Sequence, residues 1–475
     1  MNRQKLVKEI TARDRDFSKW YTDICLKAEL IDYSDIKGFF IYLPYGYNIW
    51  ENIQNFLNKN LKKTHHQNVY FPLIFSENLF KKEKEHIEGF NPESLIINQV
   101  GNNKMKENLV IRPTSEVLFS QYYAKKINSY RDLPKLFNQW CNVIRWEKTN
   151  KPFLRSKEFL WQEGHTVHAK KKEALAETKY ILNLYKKLGK KILAMPFVSG
   201  KKTQEEKFKG AEITYSIEAL MYDGQSLQAG TSHYLGTKFS KSFQIKFQDS
   251  QLNIKFAEQT SWGISTRLIG AIIMIHGDDE GLVLPPFISP IQIVIIPLDL
   301  KNINIIEKSR ELYKKIKKKH RVFLDEQKKN IGWKFSFYEL KGVPIRIEIG
   351  FREVQNKTVT IFIRHNLEKI ILKEEDFLKK IPFLFKKINE QMFQKALNNL
   401  KKNIHTAYTY KDFKECLKIK KGYIKMSVFS NEAEKIIKKE TGATARVILS
   451  EKLITKICPV TGKKTNLTIL FARSY

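Results

Sequence analysis

The sequence predicts a mixed α and β chain of more than one domain, and three observations carry that prediction. Its 475 residues exceed what one hydrophobic core organises, which points to two to four domains. Residues 140–168 read as two aromatic-rich strands joined by a short basic loop. Beyond Pro290 the pattern changes to strands alternating with helices, the mark of a small α/β module.

The elements follow in chain order. Residues 48–63 set Ile49, Ile53, Phe56, Leu57 and Leu61 at helical spacing, and 68–72 form a short strand ended by Pro72. A strand at 109–112 runs into a helix expected to start at 113–116, with Pro113 in a tolerated early position. Thr114 and Glu116 then stand at a strand-to-helix junction. In the hairpin, Arg145 and Glu147 share one side of the first strand, and Trp161, Glu163 and His165 share one side of the second. Charged groups where a core strand is apolar suggest a site. The loop adds Phe153 and Arg155, an aromatic plane beside a positive charge, suited to a purine and its neighbouring phosphate. An edge hairpin with ordinary cross-strand ion pairs fits the spacing equally well.

An amphipathic helix comes next, with Leu175, Ile181, Leu182, Tyr185 and Leu188 on its core side. Gln228 to His233 is a small-residue turn with polar side chains, and Arg267 stands at the mouth of the apolar run 268–275. A buried guanidinium there requires either a bound anion or a structural salt bridge. Strands at 291–296, 343–350 and 358–364 and a basic helix at 302–320 make up a module of roughly 100 residues, an ordinary domain size. A lysine-rich helix at 377–402 leads to a final unit ending at Tyr475.

The charge balance is 84 Lys and Arg against 50 Asp and Glu, a formal +34. Such a chain repels itself unless polyanions are normal company, so nucleic acid is the first candidate partner, with lysine-rich compositional drift as the plainer explanation. Cys25, Cys141, Cys416 and Cys458 lie far apart and form neither a disulfide framework nor a zinc motif. The first ten residues are charged and lack the apolar stretch of a secretory signal, and the apolar region 281–300 is broken by Pro285, Pro286, Pro290 and Pro297. A cytoplasmic protein with no membrane association is expected.

Taken in order, these motifs resemble a class II aminoacyl-tRNA synthetase, and specifically the prolyl-tRNA synthetases of the archaeal and eukaryotic-like type. Residues 48–72 resemble motif 1, 140–168 motif 2 and 262–281 motif 3; Arg112-Pro-Thr-Ser-Glu116, the run from Pro152 to His165 and the run from Gly342 to Gly350 sharpen the likeness to the proline enzymes. The resemblance implies an α+β catalytic core at 1–284, built on an antiparallel sheet flanked by helices. An α/β anticodon-binding domain at 285–400 and a small α+β C-terminal domain at 401–475 would follow. It also implies a homodimer that attaches L-proline to tRNA(Pro), using ATP and Mg²⁺.

Roles carry over position by position under this resemblance. Arg145 and Arg267 become the catalytic arginines, Arg145 bridging the amino-acid carboxylate and the α-phosphate and Arg267 lying across the triphosphate. Glu147, Phe153, Arg155, Ser156, Gln228 and Thr231 join them in binding ATP, with Phe153 stacking on adenine. Thr114, Glu116, Trp161, Glu163, His165, His233 and Ser265, with Arg145, surround proline. Mg²⁺ would be held chiefly by ATP oxygens, with Gln228 or Glu218 nearby, and Glu348 and Arg352 would meet the anticodon unless they serve only as sheet ion pairs.

Three departures qualify the picture. Leu43 stands where many relatives have arginine. The C-terminal unit retains only Cys458 of the family's zinc-binding thiols, so no zinc is expected. The interval between His168 and Trp262 is too short for an editing domain, which makes cis-editing unexpected. Alternative readings are another class II synthetase, a catalytically silent relative acting as a tRNA-binding or regulatory protein, and a basic RNA-binding module.

Overall fold

The computed structural model describes residues 10–81, 94–429, 431–449 and 453–475; the first nine residues of the charged N-terminal stretch lie outside them. Its backbone is one eleven-stranded sheet. In spatial order the strands are Ile404–Thr406, Tyr423–Val428, Leu467–Ala472, Thr444–Leu449, Val198–Lys201, Ile213–Leu220, Ser226–Gly236, Glu258–Ser265, Glu158–His168, Lys135–Ile144 and Gln67–Val69. All neighbours pair antiparallel except at the two ends, where Ile404–Thr406 and Gln67–Val69 each join in parallel. The expected hairpin is thus an interior pair of strands rather than an edge, and its first strand ends at Ile144, so Arg145 and Glu147, expected on that strand, lie in the connection beyond it.

Helices cover this sheet because each presents one apolar stripe. Pro44–Lys62 begins at Pro44, whose missing N–H and fixed φ suit a first helical position, and it buries Ile49, Trp50, Ile53, Leu57 and Leu61. Lys171–Leu188 buries Ala174, Thr178, Ile181, Leu184, Tyr185 and Leu188, so Leu175 and Leu182 border the stripe. Arg267–His276 is buried along most of its length. The expectation that Pro113 lies inside a helix is corrected. That helix is Glu116–Lys126 with Ser115 at its N-cap, and Arg112 keeps strand-like pairing to Leu73, as a residue before proline favours.

The α/β module stands as expected. Its sheet runs Val322–Leu324, Ile293–Pro297, Ile345–Ile349, Thr358–Ile363 and Glu368–Lys373, the first three strands parallel and the remaining pairings antiparallel. Helix Ile303–Lys317 takes its N-cap from Asn302, whose side chain accepts from two backbone N–H groups. Arg364 clamps the module to the core by donating to both carboxylate oxygens of Asp278, at 2.7 and 2.6 Å.

The last unit departs from expectation in one respect. It has its own small core, around Phe413, Ile424, Ile437 and Phe471, yet its strands continue the central sheet. Thr444–Leu449 meets Val198–Lys201 at Ile448 and Lys201, and Ser226 exchanges backbone hydrogen bonds with Arg473 and Tyr475. Joining the sheets gives both strands a partner along what would otherwise be open edges. The interval between His168 and Trp262 holds helices Lys171–Leu188 and Lys238–Phe243, a short π-helical turn at Gly189–Leu193, strands of the central sheet and a small, largely exposed hairpin.

Candidate active site

Three neighbouring strands build the floor of a cavity of about 410 Å³, within the range of small-molecule sites. Strand register explains which side chains meet there. His165 lies opposite Ser261, which lies opposite His233; Glu163, Gly263 and Thr231 form the next rung; Trp161 and Ser265 form a third. Residues two apart on a strand share a face, so these rungs all face the cavity. Gly263 leaves the middle rung without a side chain, which opens the space between Glu163 and Thr231.

Glu163 is the anchor at one end. It is 2 % exposed, and its Oε1 accepts from Ser115 Oγ at 2.5 Å and Gln139 Nε2 at 2.8 Å, while its Oε2 lies 3.1 Å from His165 Nε2. Burial opposes its charge, but the hydrogen bond and positive field of His165, Ser115 and the charge of Arg112 together hold the carboxyl below its usual range. His165 stacks on Phe119 with ring centroids 4.2 Å apart. Thr114 donates its hydroxyl to Glu116, the other carboxylate on this wall. His233 accepts or donates at Nδ1 with Thr214 Oγ1, 2.9 Å away, and burial depresses its pKa to about 3, so the ring is neutral at physiological pH.

Two arginines from distant segments occupy the other end. Arg145 donates from Nε to the Pro113 carbonyl at 2.9 Å and lies over the rings of Trp161 and Phe159, 5.2 and 5.4 Å from their centroids. Burial lowers its pKa to about 10, with Glu116 opposing and the field of Arg267 adding to the shift, so it remains protonated at neutral pH. Arg267 donates to the backbone carbonyls of Leu154 at 3.2 Å and Gln228 at 3.3 Å; burial, then the charge of Arg155, lowers its pKa. Two guanidiniums facing one cavity favour a ligand rich in negative oxygen.

The tRNA synthetase class II core domain (G, H, P, S and T) matches residues 99–276, the anticodon binding domain 292–384, and the prolyl-tRNA synthetase C-terminal domain 410–475. A proline–tRNA ligase of Onion yellows phytoplasma (strain OY-M) is 63 % identical over 475 residues, covering 100 % of both chains. One from Clostridium novyi (strain NT) is 46 % identical over 100 % of this chain and 99 % of its own. The chain belongs to the prolyl-tRNA synthetase family. Two crystal structures of the Cryptosporidium parvum prolyl-tRNA synthetase share its fold, each covering 99 % of this chain and 97 % of their own. One, complexed with halofuginone and AMPPNP, has a TM-score of 0.94 at 37 % identity. The other, complexed with L-proline and AMP, has 0.93 at 36 %.

Within this synthetase the cavity gathers Thr114, Glu116, Arg145, Trp161, Glu163, His165, Gln228, Thr231, His233, Ser265 and Arg267. Other expected positions fall elsewhere. Phe153 is corrected: its ring is 3 % exposed, packed edge-on against Tyr42 within the main core, and offers no face to a ligand. Phe159 takes the aromatic position in the cavity wall. Strand alternation from Trp161 already put it on that side. Glu147 and Arg155 approach to 4.0 Å in the loop, with side chains 43 % and 45 % exposed, close enough to act on Arg267 through their charge. Ser156 is buried, and its hydroxyl meets no partner among the described residues.

The Mg²⁺ assignment of Glu218 is also corrected. Glu218 is fully buried beside the register position of Gln228, with its oxygens taken by Lys202, Arg446, Ser216 and Ser226. Gln228 alone of the two expected ligands lines the cavity, and no cluster of three His, Cys, Asp or Glu side chains could hold a metal among the described residues. This donor set suits a cation carried in on phosphate oxygens rather than a protein cage. Glu348 pairs with Arg346 at 2.9 Å and Lys369 at 2.6 Å, the contacts that the sheet ion-pair reading expects, whereas Arg352 is exposed on helix Phe351–Asn356. Two features went unread in the sequence. Arg112, 0 % exposed, ties the motif 1 strand to the hairpin by donating to the Phe71 and Asn142 carbonyls; and the charged run 205–209 borders the cavity although its composition resembles a solvated loop.

Proposed function

We propose that this chain joins L-proline to tRNA(Pro) in two steps. The proline carboxylate attacks the α-phosphate of ATP, releasing pyrophosphate and leaving prolyl-adenylate; a terminal ribose hydroxyl of the tRNA then attacks the prolyl carbonyl and AMP departs. Substrate oxygens are the nucleophiles in both steps, so the protein contributes position and fixed positive charge. Arg145 suits the bridge between carboxylate and α-phosphate, because its planar fork presents parallel donors and it stands between Glu116 and Arg267 in the field of both. Glu116, with Thr114, suits the charged secondary amine of proline; Glu163, bound to Ser115 and His165, fixes those two side chains beside it. Phe159 suits the adenine face. Mg²⁺ would be held chiefly by ATP oxygens, with Gln228 as the residue of this chain that would hold it, and would supply positive charge to the phosphates.

The observation that carries this reading is that Arg145 and Arg267, from separate segments, line one cavity together with the carboxylates Glu116 and Glu163, with Arg145 in the field of both Glu116 and Arg267. The same reading includes a cytoplasmic homodimer without zinc and without an editing domain. Tyr70, Ile74, Ile96 and Val100, between 42 % and 68 % exposed near motif 1, support a partner surface. The test is charging: with MgATP and tRNA, the purified chain should make labelled L-proline acid-precipitable and ribonuclease-sensitive. Charging with alanine or threonine but not proline contradicts the assignment. Metal analysis of the same preparation should find zinc far below one atom per chain.

A further inference from the structure

Glu218 sits at the centre of a buried network that joins the C-terminal unit to the cavity wall. Its Oε1 accepts from Lys202 Nζ at 2.8 Å and Ser216 Oγ at 2.9 Å. Its Oε2 accepts from Arg446 at 3.0 Å from Nε and 2.8 Å from Nη2, and from Ser226 Oγ at 3.0 Å. Arg446 lies on strand Thr444–Leu449 of the C-terminal unit. Lys202 opens the segment 202–210, whose residues 205–209 line the cavity.

A second buried link runs in parallel. Thr203, the next residue of the segment, donates to Glu434 Oε2 at 2.6 Å, and Glu434 belongs to helix Glu432–Thr441. From there the segment continues to the amino-acid end. Lys207 N pairs with the Thr203 carbonyl at 3.0 Å, Phe208 N donates to Thr214 Oγ1 at 3.1 Å, and the Phe208 ring lies 5.1 Å from His233. Thr214 Oγ1 is also the 2.9 Å partner of His233 Nδ1. The exposed pairs Lys435–Glu205 and Lys438–Glu206, at 3.5 and 3.7 Å, add little, since solvent screens them.

We propose that the C-terminal unit sets the shape of the amino-acid end of the cavity, with Arg446 and Glu434 as positioning residues that fix the 202–210 segment through Glu218–Lys202 and Thr203. Neither residue touches the reacting atoms. Their effect falls on how well proline is enclosed, because the segment's Phe208 and the Thr214–His233 pair lie at that end, while the nucleotide end is built by Arg145, Phe159 and Arg267. The inference rests on the assignment of that end of the cavity to proline.

The charge count guides the choice of variants. Removing Glu218 leaves two buried cations without their anion and would unfold the region, whereas Arg446→Ala leaves Lys202 and Glu218 as a matched pair. Thr203→Val is isosteric and deletes only the link to Glu434. Proline-dependent pyrophosphate exchange is measured for both and for Arg446→Lys, with thermal unfolding alongside. The expected KM for proline rises about tenfold in Arg446→Ala and about threefold in Thr203→Val, with KM for ATP within about twofold of the parent. Arg446→Lys should recover part of the loss. Unchanged KM for proline in Thr203→Val and in folded Arg446→Ala overturns the proposal, as does an equal rise in both KM values; should Arg446→Ala fail to fold, Thr203→Val alone decides. Parent protein without proline-dependent exchange would instead refute the functional assignment on which the inference rests.

Discussion

At the scale of single residues, function turns on which side chains face the cavity and which only lie near it in sequence. Arg145→Ala should reduce proline-dependent pyrophosphate exchange by roughly 10²–10³-fold, as loss of one transition-state charge partner does. Filter binding of tRNA by that variant should stay close to the parent; parental exchange would remove Arg145 from its bridging role. Phe159 and Phe153 give a sharper contrast. Phe159→Ala should raise KM for ATP about tenfold, the worth of one aromatic stacking partner, with little change in unfolding. Phe153→Ala, which empties a core position beside Tyr42, should cost about 3–5 kcal/mol in denaturant unfolding. The reverse pattern would restore Phe153 as the stacking residue. Alternation along one strand made Trp161, Glu163 and His165 legible from sequence. It applies equally to Phe159, whereas the pairing of Phe153 with Arg155 in the loop mimics a purine site, and the burial of Phe153 depends on Tyr42, a contact 111 positions away that spacing does not encode.

At the scale of elements, the strands bearing the site require glycine where the sheet meets its own core. Gly164 faces away from the cavity, and a Cβ added there would lie 2.1 Å from the Trp262 ring on the neighbouring strand. Gly164→Ala should therefore destabilise the chain by roughly 1–3 kcal/mol, read as a lower denaturation midpoint, because the indole has to leave its rotamer or the strands have to part. An unchanged midpoint would mean that Trp262 repacks freely. The long amphipathic helices and the hairpin strands were legible from periodicity, with ends shifted by a few residues, but the small-residue turn expected at Gln228 to His233 is part of strand Ser226–Gly236, whose small and polar residues pair on both sides within the sheet. The fused sheet was not legible. Its joint rests on one bridge between Ile448 and Lys201 and on backbone bonds from Ser226 to the chain's end, which carry no side-chain pattern. Nor was the burial of Glu218, whose partners Lys202 and Arg446 come from opposite sides of that joint.

For the whole molecule, buried histidines set the response to acid. Burial lowers the pKa of His168 and His276 to about 4 and that of His233 to about 3, against an ordinary value of 6.5. Below pH 6.5 the unfolded chain binds protons that the folded chain refuses, so this contribution to stability is complete above that value and declines as the pH falls towards 4. His168, the most buried, should account for roughly 1–3 kcal/mol of that loss. Denaturation midpoints should fall between pH 7 and pH 5, before the depressed carboxyls of Glu163 and Glu218 begin to protonate; a flat profile over that interval contradicts the burial of these rings. The formal +34 charge suits a polyanionic partner but selects no amino acid, and domain order alone does not distinguish proline from its neighbours in the class. That distinction rests on the cavity, so the decisive measurement is pyrophosphate exchange into ATP with each of the twenty amino acids in turn. Strong exchange with proline, far above every other amino acid, is the expected result; exchange driven by a different amino acid, or by none, would contradict the account.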